Sequence, residues 1–464
     1  MDQGRQPSPG AFREHAARLA PSRAQVIAVL ALAVVVGAAW LHDAALTLTL
    51  LIFSLQAGFL VAAGWRALLL AASLRQPPGP APAKDLPRYT ILVALFQEAE
   101  IAAQLVERLS QIDYPPDRLE GFLLLEADDP ETRAAIDKLQ LPSWLSVIVA
   151  PDGAPRTKPR ALNIGLATAT GELLTVYDAE DDPDPLQLRE AAATFAAEGS
   201  RDVWALQAPL RIRSPVVTES MFLDRQFAIE YASLFEVTLP GLARLRLPFP
   251  LGGTSNHFRI EHLRAIGGWD SHNVTEDADL GFRLWRAGGR LDVLSRPTFE
   301  PPPGDLQHWL PQRTRWLKGF MQTWGVHTRD LRGLGWRGLL ALTMTLGTAI
   351  ASAAIHALSL AWLLANLLIA MAADLPPETP AFAVSVLGIG ALASWVNAAI
   401  GCRRAGMDYT ITDMVSAPAY WSLMSLAFVH AAWRLISQPF AWDKTVHFAD
   451  RTSSCEAATG RETV

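Results

Sequence analysis

Two apolar runs near the start of the chain constrain it most. Residues 24–41 and 44–65 carry no formal charge, and each approaches the roughly 20 residues that a membrane-spanning helix needs. Only "HD" separates them, so they read as a transmembrane hairpin within residues 1–75. Arg5, Arg13, Arg18 and Arg23 precede the first run and Arg66, Arg75, Lys84 and Arg88 follow the second, which puts both outer flanks on the cytoplasmic side. No small-residue cleavage site precedes the second run, so the first is expected to be retained rather than removed as a leader.

The far end is apolar again, with charge-free stretches at 338–373, 379–402 and 414–433. These predict C-terminal membrane helices over 337–437. A single helix over 338–373 would be about 54 Å long at 1.5 Å per residue, against a hydrocarbon core of about 30 Å, so it is either one tilted or protruding helix or two short spans. The acids of "DLPPE" suit the outside and Arg403–Arg404 the cytoplasm, which favours one span and one return. The stretch 411–436, with Asp413, Pro418 and Arg434, is expected to re-enter or lie in the interface, leaving a cytoplasmic tail at 438–464 that carries Trp442, Lys444 and His447.

Between these ends the composition is that of a soluble α/β domain. A Pro-rich linker at 76–88 leads into residues 89–303, where short apolar runs near 89–96, 121–126, 145–149, 173–178 and 203–208 alternate with helical patterns. This is the rhythm of a mostly parallel, Rossmann-like sheet, whose ligands bind outside the carboxyl ends of its strands. Acids collect at those ends: Asp128 and Asp129 after one run, Asp178 and Glu180 after another. Like charges gathered on one edge call for a cation, and Mg²⁺ or Mn²⁺ takes oxygen ligands while bridging to substrate phosphates. Asp182 and Asp184 read instead as a turn before a helix N-terminus. Lys158 and Asn163, at the start of the helix in "RTKPRALNIGL", suit a phosphate or a base edge.

In "GGWDSHNVTEDADLGFRLW" a Gly-Gly turn precedes Glu276 and Asp277, and Asp279 charges the helix that follows, with Leu280, Phe282, Leu284 and Trp285 as its buried positions. A buried carboxylate there, beside a sugar hydroxyl, can serve as general base. In "QHWLPQRTRWLKGFMQTW", Gln312, Arg315 and Trp316 stand at i, i+3 and i+4 on one helical face. Residues 304–330 thus predict an amphipathic interfacial helix, with Arg313, Arg315 and Lys318 between the aromatics; Trp316 can stack on a sugar ring while Gln312 and Arg315 bind phosphate or hydroxyls.

A net charge of −6 without a basic stripe excludes nucleic acid as the expected partner. Two distant cysteines, Cys402 and Cys455, and ten scattered histidines leave metal binding to carboxylates.

Four motifs in order resemble the membrane-embedded branch of glycosyltransferase family 2, which contains cellulose, chitin and hyaluronan synthases: the Asp128–Asp129 strand end, "DAED" at 178–181, "TED" at 275–277 and Gln-x-x-Arg-Trp at 312–316. The resemblance covers about residues 87–325. It implies a GT-A-like α/β catalytic domain plus transmembrane α-helices, in a bacterial inner or plasma membrane with the catalytic domain cytoplasmic. It implies an inverting, metal-dependent transfer of a sugar from a nucleotide-sugar, expected to be a UDP-sugar, to a growing polysaccharide or lipid-linked glycan, with membrane lipid as a further partner. By this likeness Asp128, Asp129, Lys158 and Asp178 bind the nucleotide-sugar, Asp178 and Glu180 the metal, Asp277 with Glu276 the catalytic step, and Gln312, Arg315 and Trp316 the acceptor. "LGGTSNHFRI" at 251–260 is similar to a loop that touches donor or acceptor. Glu180 stands where the family usually has Asp, leaving Glu180 and Asp181 as alternatives for the second metal ligand. "DAED" followed by "PxPLQLR" also resembles a subgroup containing a phage-adsorption inner-membrane protein. The alternatives are a one-step polyprenyl-phosphate sugar transferase and a catalytically silent scaffold or export partner.

Overall fold

The computed structural model describes residues 21–74, 79, 83, 85–213, 220–373 and 381–441. The apolar runs of the middle region become β1 (Tyr89–Leu95), β2 (Leu119–Glu126), β3 (Leu145–Ala150), β4 (Leu173–Tyr177) and β6 (Val203–Gln207). Five further strands carry little apolar signal: β5 (Asp182–Pro183), β7 (Leu210–Ile212), β8 (Asn256–Arg259), β9 (Arg290–Val293) and β10 (Thr298–Glu300). The main sheet runs β3-β2-β1-β4-β8-β6-β9, and β5-β10-β7 form a small second sheet. Every main-sheet pair is parallel except those of β8, which runs antiparallel between β4 and β6. The stretch 251–260, expected as a loop, therefore ends in a central strand. Successive β1 residues serve opposite layers: Leu92 packs with Leu124 and Leu174 on one face, Ile91, Val93 and Leu95 on the other. Full burial of each such side chain contributes about 1.5–3 kcal/mol.

Helix Glu276–Arg286 lies across the first of these layers, burying Leu280, Phe282 and Leu284 completely. The Gly-Gly turn before it has φ 83° at Gly267 and 70° at Gly268, and a Cβ on Gly268 would strike the Asn163 amide. Asp279, fully buried, does more than charge the helix: its carboxylate meets His327 Nε2 at 3.0 Å and Arg283 Nε at 3.8 Å. A Cβ on Gly281 would strike the Phe249 carbonyl oxygen, a backbone atom that cannot rotate away. Gly281→Ala is therefore expected to destabilise the folded chain by about 1–3 kcal/mol. Thermal unfolding of the detergent-solubilised protein checks this, and an unchanged midpoint would show that the 249 backbone yields.

Four helices among the described residues are long and apolar enough to cross a membrane: Arg23–His42, Ala44–Ser73, and the segments 331–372 and 384–405. The second overruns its expected end at residue 65 because its last turns dock on the catalytic side, with Leu69 and Ser73 buried and Arg404 donating to Ser73 Oγ at 3.1 Å. After a kink at Gly335 (φ 67°), the long stretch is one helical run through Leu342, a π-helical turn at Thr343–Gly347 and Thr348–Ala372, so 338–373 is a single run rather than two short spans. Its excess length is spent on the catalytic domain: Leu334, Ala341, Leu342 and Leu346 are buried and Trp285 Nε1 donates to the Leu334 carbonyl at 3.0 Å, while Leu331 and Trp336 stay exposed.

Helix Ile411–Ser437 is continuous, which rules out a re-entrant break. Arg225 grips Asp413 near its start at 2.9 and 3.0 Å, and Lys318 donates to the Gln438 and Ala441 carbonyls just past its end at 3.2 and 2.7 Å. Both ends are thus tied to helices of the catalytic part of the chain, Met221–Ser233 and Leu306–His327. Helix Leu306–His327 is not the surface helix its sequence suggests, for it is enclosed by Met221–Ser233, Thr348–Ala372 and Ile411–Ser437. Two of its cations are buried, Arg313 paired with Glu230 and Lys318 donating to the two carbonyls. The "DLPPE" loop, most of the linker at 76–88 and the tail residues Trp442, Lys444 and His447 lie outside the described residues.

Candidate active site

A cavity of about 340 Å³ opens at the carboxyl ends of β1 and β4, within the range of small-ligand sites. Its walls come from four places: Asp178 and Glu180 after β4, Lys158 at the start of helix Lys158–Thr168, Glu276 and Asp277 at the start of their helix, and Gln312, Arg315 and Trp316 from Leu306–His327. Residues far apart in sequence meet here because the sheet brings strand ends and helix starts to one edge.

Lys158 is the charge at the centre. Its ammonium donates to Asp178 Oδ1 and, at 2.8 Å, to the Gly253 carbonyl. Burial pulls its pKa down, but Asp178, Glu276 and Asp277 outweigh burial and hold it above the usual lysine value. Glu276 and Asp277 differ in standing. Burial, then the charge of Asp277, pushes Glu276 up to about 8 against the pull of Lys158, so near neutral pH it keeps its proton. Burial also raises Asp277 above the usual carboxylate value, against the opposing pull of the Ala278 amide donating at 2.8 Å, of Lys158 and of Arg315.

The loop carrying these acids is anchored by the neighbouring helix. Gln322 accepts from the Val274 amide at 3.3 Å, Arg315 donates to the Val274 carbonyl at 3.3 Å, and Asn273 donates to Thr323 Oγ1 at 3.1 Å. Gln312 lines the cavity, and its Oε1 is buried without a hydrogen-bond partner among the described residues.

Several expected residues do other work. Asp129 is spent as a helix cap, accepting from the Gln97 and Thr132 amides. Asp128 pairs with Arg156, whose side chain lines the cavity while Asp128 itself does not. Asn163 lies inside its helix and clamps Trp269, donating to its carbonyl at 2.8 Å and accepting from its amide at 2.9 Å. Asp181 is buried away from the cavity, accepting from Thr254 and from the Asp178 amide. Of the alternatives for second metal ligand, Glu180 therefore lines the cavity and Asp181 does not. Asp184 stands at the anticipated turn, accepting from the Leu186 amide at 2.9 Å and pairing with Arg296 at 3.1 Å, whereas Asp182 belongs to strand β5, paired with β10.

Glu300 was not anticipated. It lines the cavity from the end of β10, and burial, then Asp181, Glu180 and Asp178, raise its pKa well above the usual carboxylate value. Tyr231 and Phe235 complete the wall. Among the described residues no three acid, His or Cys side chains converge on one point. The donor chemistry still fits a hard divalent cation: Asp178, Glu180 and Glu300 line one cavity, and such ions are commonly held by one or two carboxylates with substrate phosphates filling the other positions. Asp178 and Glu180 are the residues that would hold it.

Residues 173–377 match the family described as Glycosyl transferase family group 2, and residues 90–209 that described as Glycosyl transferase family 2. Curated relatives include a beta-monoglucosyldiacylglycerol synthase of Synechocystis sp., 29% identical over 59% of this chain and 57% of that one, and a probable glycosyltransferase of Bacillus subtilis, 25% identical over 51% and 56%. The matches span little more than half the length of these relatives. Among solved structures, a mannosyltransferase of Pyrobaculum calidifontis in complex with GDP-Man and Mn²⁺ superposes with a TM-score of 0.51 at 19% identity, covering 82% of this chain and 98% of that one, which establishes the shared GT-A-like fold.

Proposed function

We propose, from the glycosyl transferase family 2 matches over residues 173–377 and 90–209, that the chain moves a sugar from a nucleotide-sugar to a hydroxyl of a membrane-borne acceptor, a lipid or lipid-linked glycan. The observation that carries this reading is the meeting of Lys158, Asp178 and Asp277 in one cavity, walled on its far side by Gln312, Arg315 and Trp316 from a helix packed among the apolar helices. Lys158 and the cavity mouth near Arg156 face the nucleotide diphosphate. A divalent cation, held by Asp178 and Glu180, would neutralise the charge developing on the leaving diphosphate when bound. Asp277 takes the proton of the attacking hydroxyl; that oxygen forms the new bond at the anomeric carbon as the bond to the diphosphate breaks, inverting the centre in one displacement. Trp316 and Gln312 position the acceptor.

Support for a lipid acceptor comes from the Synechocystis relative, whose name makes its product a glucosylated diacylglycerol, and from the four membrane-length helices. Processive polysaccharide synthesis is the second reading, favoured by the Gln-x-x-Arg-Trp arrangement on the cavity wall. The helix Ile411–Ser437, with both ends tied to the catalytic side, is read as lying in the membrane interface, and Arg403–Arg404 as marking the cytoplasmic face. The full chain in phosphatidylcholine vesicles, with and without 1,2-dioleoylglycerol, should be incubated with a panel of labelled UDP- and GDP-sugars. One labelled lipid product supports the lipid reading; a ladder of long products supports the processive one. No transfer and no donor hydrolysis with any sugar would refute both.

The same site carries a pH expectation. Above pH about 8 Glu276 becomes a second anion beside the bound diphosphate, so transfer should decline on the alkaline side. Glu276→Gln is expected to remove that decline while leaving the rate at pH 7 within a few-fold of wild type, since Glu276 is already neutral there. An unchanged alkaline limb in pH–rate profiles of the variant would contradict this assignment.

A further inference from the structure

Arg313 sits inside the acceptor-side helix but takes no part in the cavity wall. It is 1% exposed, and its guanidinium carbon lies 4.5 Å from the centre of the Trp316 ring, 4.7 Å from that of Phe227 and 5.8 Å from that of Trp309. The planar cation is thus layered between aromatic faces, a geometry only arginine provides. Its edge is held at both terminal nitrogens, while Nε has no hydrogen-bond partner among the described residues. Nη1 donates to Glu230 Oε1 at 2.8 Å and Nη2 to the Tyr420 hydroxyl at 3.1 Å. That hydroxyl donates to Glu230 Oε2 at 2.7 Å and accepts from Trp309 Nε1 at 3.2 Å. Glu230, Tyr420 and Arg313 belong to three different helices: Met221–Ser233, Ile411–Ser437 and Leu306–His327.

We infer that Arg313, held by Glu230 and Tyr420, is the positioning residue for the Trp316 ring, fixing the one aromatic face that the cavity offers from this helix's Gln-x-x-Arg-Trp segment. Trp316 is only partly buried, and its other ring neighbours, Phe227 and Tyr231, approach at tilted angles with centroids 6.3 and 6.2 Å away. The guanidinium plate, at 4.5 Å, lies over the ring and closer to it than either of them. A charged plate is also a better clamp here than an aliphatic one, because a desolvated cation over an indole face is held by the ring's quadrupole as well as by contact. The link through Tyr420 makes the helix Ile411–Ser437, which touches the cavity nowhere, part of the apparatus that shapes it. This inference rests on the acceptor role proposed for Trp316, but the ring's fixation can be read without any acceptor.

The test uses the full-length chain in detergent with 5-fluorotryptophan installed at position 316 alone, and separately at 204, where the Trp204 ring stacks on His262 with centroids 3.9 Å apart on another part of the domain. The ¹⁹F spectrum of the 316 probe is expected to be a single narrow line. Tyr420→Phe, which removes one hydroxyl and keeps the ring, and Arg313→Lys, which keeps the charge and loses the plate, should each broaden or split that line and leave the 204 line unchanged. An unmoved 316 line in both variants overturns the inference, as does an equal disturbance at 204, which would make Arg313 a general stability residue. In the dioleoylglycerol vesicle assay the same variants should raise the acceptor KM about tenfold, the scale of one desolvated cation–π contact, with donor KM unchanged, and should add nothing in a Trp316→Ala background. If the wild-type chain transfers to no acceptor, the functional reading fails and the fluorine spectra alone decide the positioning role.

Discussion

Asp277→Asn is expected to lower turnover by about 10²–10⁴, the share general-base catalysis supplies, while leaving donor affinity within a few-fold of wild type. The substitution is nearly isosteric, and the one hydrogen bond recorded for the carboxylate, from the Ala278 amide, can be kept by the Asn carbonyl oxygen, so the helix start should survive. What is lost is the proton acceptor. Glu276 cannot replace it, because its carboxyl is held protonated near neutral pH and is 3% exposed. The decisive measurements are kcat in the vesicle assay and the Kd of the nucleotide-sugar. A folded Asp277→Asn protein that turns over at nearly the wild-type rate would exclude Asp277 as the base.

Removing divalent metal should have an effect of the same order, a loss of at least about a hundredfold, because a Lewis acid at a leaving diphosphate contributes several kcal/mol. Excess chelator should abolish transfer, and Mg²⁺ or Mn²⁺ should restore it. The Asp178–Lys158 pair makes the accompanying variant informative. Asp178→Ala should weaken nucleotide binding when metal is present, since a ligand is gone. Without metal it should leave binding unchanged or slightly tighter, because the Lys158 ammonium is then released toward the phosphates. Titration calorimetry in both conditions separates these effects, and full activity in excess chelator would rule the metal out.

The parts of the fold legible in the sequence were those stabilised by their own composition. β1, β2, β3, β4 and β6 are apolar runs because parallel strands covered on both faces must be. β8 escaped notice because "NHFR" has no apolar run; its place is decided by pairing with β4 and β6 over long sequence separations. The same limit governed the site. Lys158, Asp178, Glu276, Asp277, Gln312, Arg315 and Trp316 could be picked out because each sits at a strand end, at a helix start or on one helical face, and the structure gathers them in one cavity. Asp129 and Asn163 carry the right chemistry at the right places but are consumed by a cap and a clamp. Glu300 had no local signal, since only the pairing of β10 with β7 and β5 delivers it. Arg313 and Lys318 looked solvated because alternating cations and aromatics on a helix usually are, and nothing local announces that three other helices will enclose them.

The embedding of the run from Leu331 to Leu346 in the soluble domain has a mechanical consequence. On the proposed function, a helix that is core at one end and membrane span at the other would act as a rigid post, so the domain could neither hinge away from the bilayer nor sink toward it without breaking its own packing. The altitude of Asp277 above the lipid surface would then be a constant of the molecule. Such an enzyme would measure its acceptors: acceptors carrying progressively longer headgroups should pass through an optimum rather than improve steadily.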